Sequence, residues 1–337
     1  MLVNKTLTTD SDVSSFVANA IKEIQDEVKD GKVLLALSGG LDSTVLSSLL
    51  IRAIGERLTC VFLDTALMRK GESDEIKNRF SDGDCTFIHI DAKKRFLEAL
   101  KGVIDPEEKR RVIGKCFIKV FEERAGEIGN VDFLAQGTIY GDIVESGKGK
   151  DGKLVKSHHN VGGLPSIIKF KSLIEPFKLL LKEDVRKVGK YLGLPSSVIH
   201  RQPFPGPGLA IRIIGEVTED KLDILRDADA IWRCEVESFM NSAQAKSSIY
   251  FDSQSIDQYF AILTNIRTVG LKNGERTYGY TLALRAVSTK DFMNARPVHF
   301  TPEFYDNVFT KILNEVPAIT RIVYDITSKP PSTIEWE

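Results

Sequence analysis

The chain has 337 residues, 42% of them hydrophobic and 28% charged, with a net charge of −1. That length suggests about two domains with a sizeable core, and the near-zero charge argues against a nucleic-acid partner held by bulk electrostatics. No apolar run approaches the roughly 18 residues of a membrane helix, and residues 1–12 have no signal-peptide pattern. Cys60, Cys85, Cys116 and Cys234 are scattered without Cys-x-x-Cys spacing, which suits reduced thiols better than metal ligands or a disulfide frame. A cytoplasmic protein without a membrane or nucleic-acid partner is expected.

Val13, Phe16, Val17, Ala20, Ile21, Ile24 and Val28 recur at helical spacing through residues 11–29. Val33–Leu37 follows as a buried-type strand, then Ser38-Gly39-Gly40-Leu41-Asp42-Ser43, then a helix over 44–54. Glycine at such a turn admits positive φ and close approach of a ligand, and the next helix offers unpaired N–H groups to an anion. The chain has no Gly-x-x-x-x-Gly-Lys-Ser/Thr loop. Asp42 stands where a phosphate would sit, an arrangement that a bridging metal ion would reconcile. The residues alone also allow a plain strand-to-helix turn capped by serine.

Residues 58–63, 85–90 and 131–136 read as further strands, and 74–80, 94–101, 106–125 and 183–192 as helices. Apolar strands alternating with helices predict a doubly wound, mostly parallel α/β sheet, whose ligand edge is at the strand carboxyl ends, near the topological switch. Ser38, Asp64 and Gly137 all fall on that edge. Asp142 and Glu145, three residues apart, would share a helix face. With Asp42 they are candidate Mg²⁺ ligands, and equally candidates for favouring a helix N-terminus. The lysine- and glycine-rich run after Glu145 leads to Lys156, His158 and His159, and reads either as a solvated connection or as a basic flap over a nucleotide site.

His200-Arg-Gln-Pro-Phe-Pro-Gly-Pro-Gly208 is neither strand nor helix interior. It places a boundary between residues 1–202 and a smaller α+β domain over residues 203–337. That second domain is predicted to hold helices at 218–240 and 302–316 and strands at 260–269, 278–287 and 320–324. At the carboxyl end, Arg321 and Lys329 offer charge for a second phosphate and Glu335 an acceptor for a base N–H.

Ser-Gly-Gly-x-Asp-Ser resembles the signature of the ATP-pyrophosphatase (PP-loop) superfamily, whose members cleave ATP between the α and β phosphates. Further stretches resemble the GMP synthetase family: Asp105-Pro-Glu-Glu-Lys-Arg, Gly-Thr-Ile-Tyr140, Lys156-Ser-His-His-Asn-Val-Gly-Gly-Leu-Pro, Arg201-Gln-Pro-Phe-Pro-Gly-Pro-Gly-Leu and Ser328-Lys-Pro-Pro-Ser-Thr-Ile-Glu-Trp-Glu. The resemblance runs in order from about residue 31 to 337 and lacks the family's usual amidotransferase part, so it points to the separate synthetase subunit. It implies a ligase that aminates xanthosine 5′-monophosphate (XMP) to GMP through an adenylated intermediate, with AMP and pyrophosphate released. ATP is the cosubstrate, Mg²⁺ the cofactor, and ammonia comes from a separate glutamine amidotransferase subunit. Ser38, Gly39, Gly40, Leu41, Asp42, Ser43 and Thr44 would hold the pyrophosphate, and Lys156, His158 and His159 would form the catalytic flap. Arg110, Gln258, Arg321, Lys329, Ile334 and Glu335 would bind XMP, and the second domain would form a homodimer. The sequence departs from the family pattern at Leu41, Ala66 and Gly141.

Overall fold

The computed structural model describes residues 6–80, 83–128, 131–146, 170–242, 255–272, 274–289 and 293–337. Two compact units share the chain. Residues 1–65, 72–93 and 114–206 make the first, and residues 66–71, 94–113 and 207–337 the second. The last crossing, at Gly206–Pro207, is beside the expected boundary at 202/203. The two earlier segments of the second unit lie outside that expectation.

In the first unit α1 (Asp10–Val28), β1 (Val33–Leu37), α2 (Leu41–Ile54) and β2 (Leu58–Asp64) follow in order, with α3 (Glu72–Arg79) and β3 (Thr86–Asp91) after them. α4 (Lys93–Leu100) lies almost wholly in the second unit, and α5 (Pro106–Glu127) crosses back at Ile113–Gly114. β4 (Phe133–Ala135), α6 (Tyr140–Ser146), β5 (Ser172–Ile174), α7 (Lys182–Tyr191) and α8 (Ser196–Ile199) complete the unit. The five strands are all parallel, in the order β3-β2-β1-β4-β5. Every residue of β2 is buried, as are all but Ala36 in β1, which is how strands covered on both faces read. Strand order reverses at β1, so the crevice for a ligand opens where β1 and β4 end. α2 packs between α1 and α7 and buries Leu41, Val45, Leu46, Leu49 and Leu50. The glycine loop is thereby mounted on a buried strand and a buried helix.

The second unit holds α9 (Glu219–Asn241), β6 (Gln258–Lys272), β7 (Glu275–Ser288), β8 (Arg296–Pro297), α10 (Pro302–Glu315) and β9 (Ile319–Tyr324). β7 pairs antiparallel with β6 and β8 and parallel with β9, so the sheet is mixed and the domain α+β. β6 and β7 run longer than the pattern of residues suggests, because their outer halves are exposed and carry no core periodicity. α9 packs on β6, and α10 on α9 and β9. Trp232, fully buried, meets Phe300, Phe304 and Tyr324 edge-on at centroid distances of 5.6, 5.9 and 6.1 Å, the favoured geometry for aromatic pairs. None of the four cysteines forms a disulfide. Among the described residues no helix is long and apolar enough to cross a membrane.

Candidate active site

Gly39 has φ +74°, a left-handed conformation that a side chain would strain. Gly40 is the N-cap of α2 and makes no side-chain cap bond. The loop is instead tied from within. Ser38 Oγ accepts the Gly40 N–H at 3.2 Å and lies 3.0 Å from Ser43 Oγ. The hydroxyls of Ser43 and Thr44 donate to the Gly40 carbonyl at 3.2 and 2.8 Å. Serine and threonine here spend their donors on the loop's own backbone, which shapes the turn and leaves the first-turn N–H groups of α2 without helical acceptors. Those N–H groups and the positive end of the helix dipole form an anion cradle.

Gly137, just beyond β4, closes one side. A Cβ there would stand 3.1 Å from the Asp42 carbonyl carbon and 3.2 Å from the Ser43 nitrogen. Only glycine lets the end of β4 come this close to the start of α2. On another side, Arg201 Nη1 donates to the Gly39 carbonyl at 2.6 Å, while the same guanidinium pairs with the buried carboxylate of Glu72.

Asp42 is half-buried, and its Oδ1 is buried without a hydrogen-bond partner. Burial pushes its carboxyl above the ordinary value of 3.8. Asp142 adds to that rise, and Lys182, Arg186 and the Asp42 N–H oppose it. Asp142, on α6, accepts the Ile139 N–H on Oδ2 at 3.0 Å, so it also serves the helix start. An unmet buried carboxylate oxygen beside a second carboxylate fits a hard cation that takes few protein ligands and phosphate oxygens besides. Among the described residues there is no group of three or more metal-ligating side chains. Glu145 lies on the backbone of α6, but its side chain is outside the description. Lys156, His158 and His159 are outside the described residues altogether.

In the second unit the carboxyl-terminal tail is held by buried cations. Arg212, fully buried, donates from Nη2 and Nε to the two carboxylate oxygens of Glu335 at 2.7 and 3.1 Å. Its guanidinium also stacks 4.1 Å over the Phe260 ring. Lys109, likewise buried, donates to the Ile213 carbonyl at 2.6 Å and pairs with the Glu337 carboxylate. Burial lowers its ammonium pKa, and Glu337 works against that. Arg110 Nη2 reaches the Glu337 carbonyl at 2.7 Å. Arg285 pairs with Asp325 at 2.6 Å and donates to the Thr333 carbonyl at 3.0 Å.

Of the residues expected for XMP, the structure brings Arg110 and Glu335 to this tail network. It places Ile334 in the core cluster with Phe260, Ile262 and Val287. Glu335 is clamped by Arg212 rather than free, though each carboxylate oxygen keeps a further acceptor site. Lys329 exchanges two backbone hydrogen bonds with Ala295 at 2.8 and 3.0 Å. Gln258 is buried at the start of β6, and Arg321 is exposed on β9 opposite Thr281. Sequence reasoning missed Arg201, Arg212, Lys109, Arg285, Lys182 and Arg186. An arginine inside the apolar run Thr-Leu-Ala-Leu-Arg285-Ala-Val was the clearest available signal.

A glycine turn at the switch point of a parallel sheet, opening a helix and carrying an unmet carboxylate, defines an α/β protein with a candidate anion site. Residues 247–336 match the family described as GMP synthase C terminal domain. The chain is 60% identical over 328 residues to a glutamine-hydrolyzing GMP synthase of Treponema denticola, covering 97% of this chain and 60% of that protein. It is 55% identical to the one from Finegoldia magna (96% of this chain, 61% of that one) and 54% to the one from Agathobacter rectalis (96% and 62%). It is thus a homologue of GMP synthases over nearly all of its length, and spans about 60% of theirs. An NH3-dependent NAD synthetase from Campylobacter jejuni shows a slight likeness, with TM-score 0.42 and 15% identity over 73% of this chain and 91% of that one.

Proposed function

We propose that the protein is the synthetase subunit of a two-subunit GMP synthase. The observation that carries this reading is the 60% identity over 328 residues, 97% of this chain. In this reading the cradle of Ser38–Thr44 holds the β and γ phosphates of ATP. The C2 oxygen of XMP attacks the α-phosphorus and pyrophosphate leaves. Ammonia then displaces AMP from the adenylated base to give GMP. The protein's part is positioning and charge neutralisation rather than covalent chemistry.

Asp42 and Asp142 are the described residues that would hold Mg²⁺, which when bound would neutralise phosphate charge at the leaving group. The loop's task is to present the N–H groups of α2 to the departing pyrophosphate. The residues for XMP are Arg110, Gln258, Arg321, Lys329, Ile334 and Glu335, with Arg212 orienting Glu335. The relatives' glutamine-hydrolyzing name supports ammonia drawn from glutamine, which in this reading a separate amidotransferase delivers. Ile266, Val269, Leu271 and Tyr278, all exposed on the outer half of β6 and β7, support pairing of the second unit with another copy.

The test is a product assay on the purified chain. XMP, ATP and ammonium should give GMP, AMP and pyrophosphate, and glutamine should substitute for ammonium only when a glutaminase is added. ATP bound without pyrophosphate release would defeat the ligase reading; efficient use of glutamine by the chain alone would defeat the separate subunit.

A further inference from the structure

Arg201 and Ser38 grip opposite edges of one peptide group. The Gly39 carbonyl accepts from Arg201 Nη1 at 2.6 Å, and the Gly40 N–H of that same peptide donates to Ser38 Oγ at 3.2 Å. The peptide lies between a residue at φ +74° and the N-cap of α2. Two glycines flank it, so little in the chain itself resists its rotation. Turned over, it would aim the Gly39 carbonyl, a negative end, where the N–H groups of α2 invite an anion.

We infer that Arg201 is a positioning residue for the phosphate site: it fixes the Gly39–Gly40 peptide in the anion-accepting orientation. Glu72 is the second element of the device. Its side chain is 4% exposed and pairs with the Arg201 guanidinium, whose side chain is 18% exposed. A buried carboxylate needs such a partner, and the pairing orients the fork so that its Nη1 meets the loop. A guanidinium serves here because its planar, fixed donors can hold a carboxylate and a carbonyl together, which an ammonium does with less definition. The ligand class is a diphosphate or the corresponding end of a nucleoside triphosphate.

This inference rests on the proposed ligase reading only for its kinetic readout, so binding and turnover are measured separately. Isothermal titration of inorganic pyrophosphate into wild type, Arg201→Lys and Arg201→Met should show affinity falling about tenfold or more in the methionine variant, the scale of one charged hydrogen bond. The lysine variant should fall between. In steady-state assays Arg201→Met should raise KM for ATP by a similar factor while KM for XMP stays within about twofold, a split that general loosening of the fold would not produce. Wild-type pyrophosphate affinity in Arg201→Lys, or in a folded Arg201→Met, overturns the inference. Should the methionine variant not fold, the lysine variant alone decides. A wild type that binds pyrophosphate through Arg201 yet makes no GMP would leave this inference standing and remove the ligase reading. Normal GMP synthesis with unaltered KM for ATP in the variants would do the reverse.

Discussion

The carboxylate of Asp42 stands at the N-terminal turn of α2 with one buried oxygen unmet, a cost that folding alone would not select. Burial, reinforced by Asp142, raises its pKa above 3.8 against the pull of Lys182 and Arg186. The folded protein then keeps a proton that the unfolded chain has already released. Asp42 therefore favours the fold most in acid, and that contribution fades as pH rises from 3.8 through the folded value. Asp42→Asn keeps the shape and removes the charge. Without nucleotide, its melting temperature should exceed that of wild type at neutral pH, with the gap closing as the pH is lowered. GMP formation by the variant should drop about 10²-fold or more, as for other preorganised charged groups. Thermal unfolding across pH, beside the product assay, checks both. A gap independent of pH would show that Asp42 titrates alike in the folded and unfolded chain, and near-normal turnover would remove it from the metal site.

Helix α9 illustrates how far an element's pattern can be read. Its apolar stripe and Thr218 cap are plain in the sequence, yet Asp229 on the buried face is not explained by periodicity. Its Oδ1 accepts the Ala261 N–H at 3.0 Å, and its Oδ2 lies 3.0 Å from Arg233 Nε and 3.7 Å from Arg69 Nε. Arg69 is 4% exposed. Asp229→Ala removes the carboxylate that faces both the buried Arg69 and Arg233 and leaves the β6 N–H without its acceptor, and should cost about 3–5 kcal/mol. Asp229→Asn, which keeps an acceptor, should cost less. Urea unfolding followed by Trp232 fluorescence measures both, and a loss below about 1 kcal/mol in the alanine variant would make the cluster no more than a surface pair. The same limit explains what else escaped the sequence. β1 and β2 are legible because each is a continuous apolar run, whereas β5 has three residues and one buried position, too few to carry a period. Arg201 was inside a quoted motif, but its target, the Gly39 carbonyl, is 162 residues away, and one chain gives no sign of such a partner.

Across the molecule, linear order hides the second unit's debt to the first half of the chain. Lys109 and Arg110, from a helix start that reads as part of the α/β half, reach the Glu337 end of the tail, and residues 94–113 belong with 207–337. A reader of sequence sees one boundary because the prolines and glycines of 200–208 mark one; the other crossings run through Thr65–Ala66 and the middle of α5 without any breaker. This division makes a kinetic prediction. The phosphate cradle is built wholly within the first unit, and the six residues assigned to XMP lie wholly within the second, so variants of each should weaken one substrate. Gly137→Ala, whose Cβ would press on the Asp42–Ser43 peptide at 3.1–3.2 Å, should raise KM for ATP about tenfold and leave KM for XMP nearly unchanged. Lys329→Ala should raise KM for XMP by about 10–100-fold, the range for one charged hydrogen bond, with little effect on ATP. Initial rates with each substrate varied at saturation of the other give the four constants. If both variants raise both constants alike, the assignment of ATP to one unit and XMP to the other fails, and the tail cations would be acting on the fold rather than on a nucleotide.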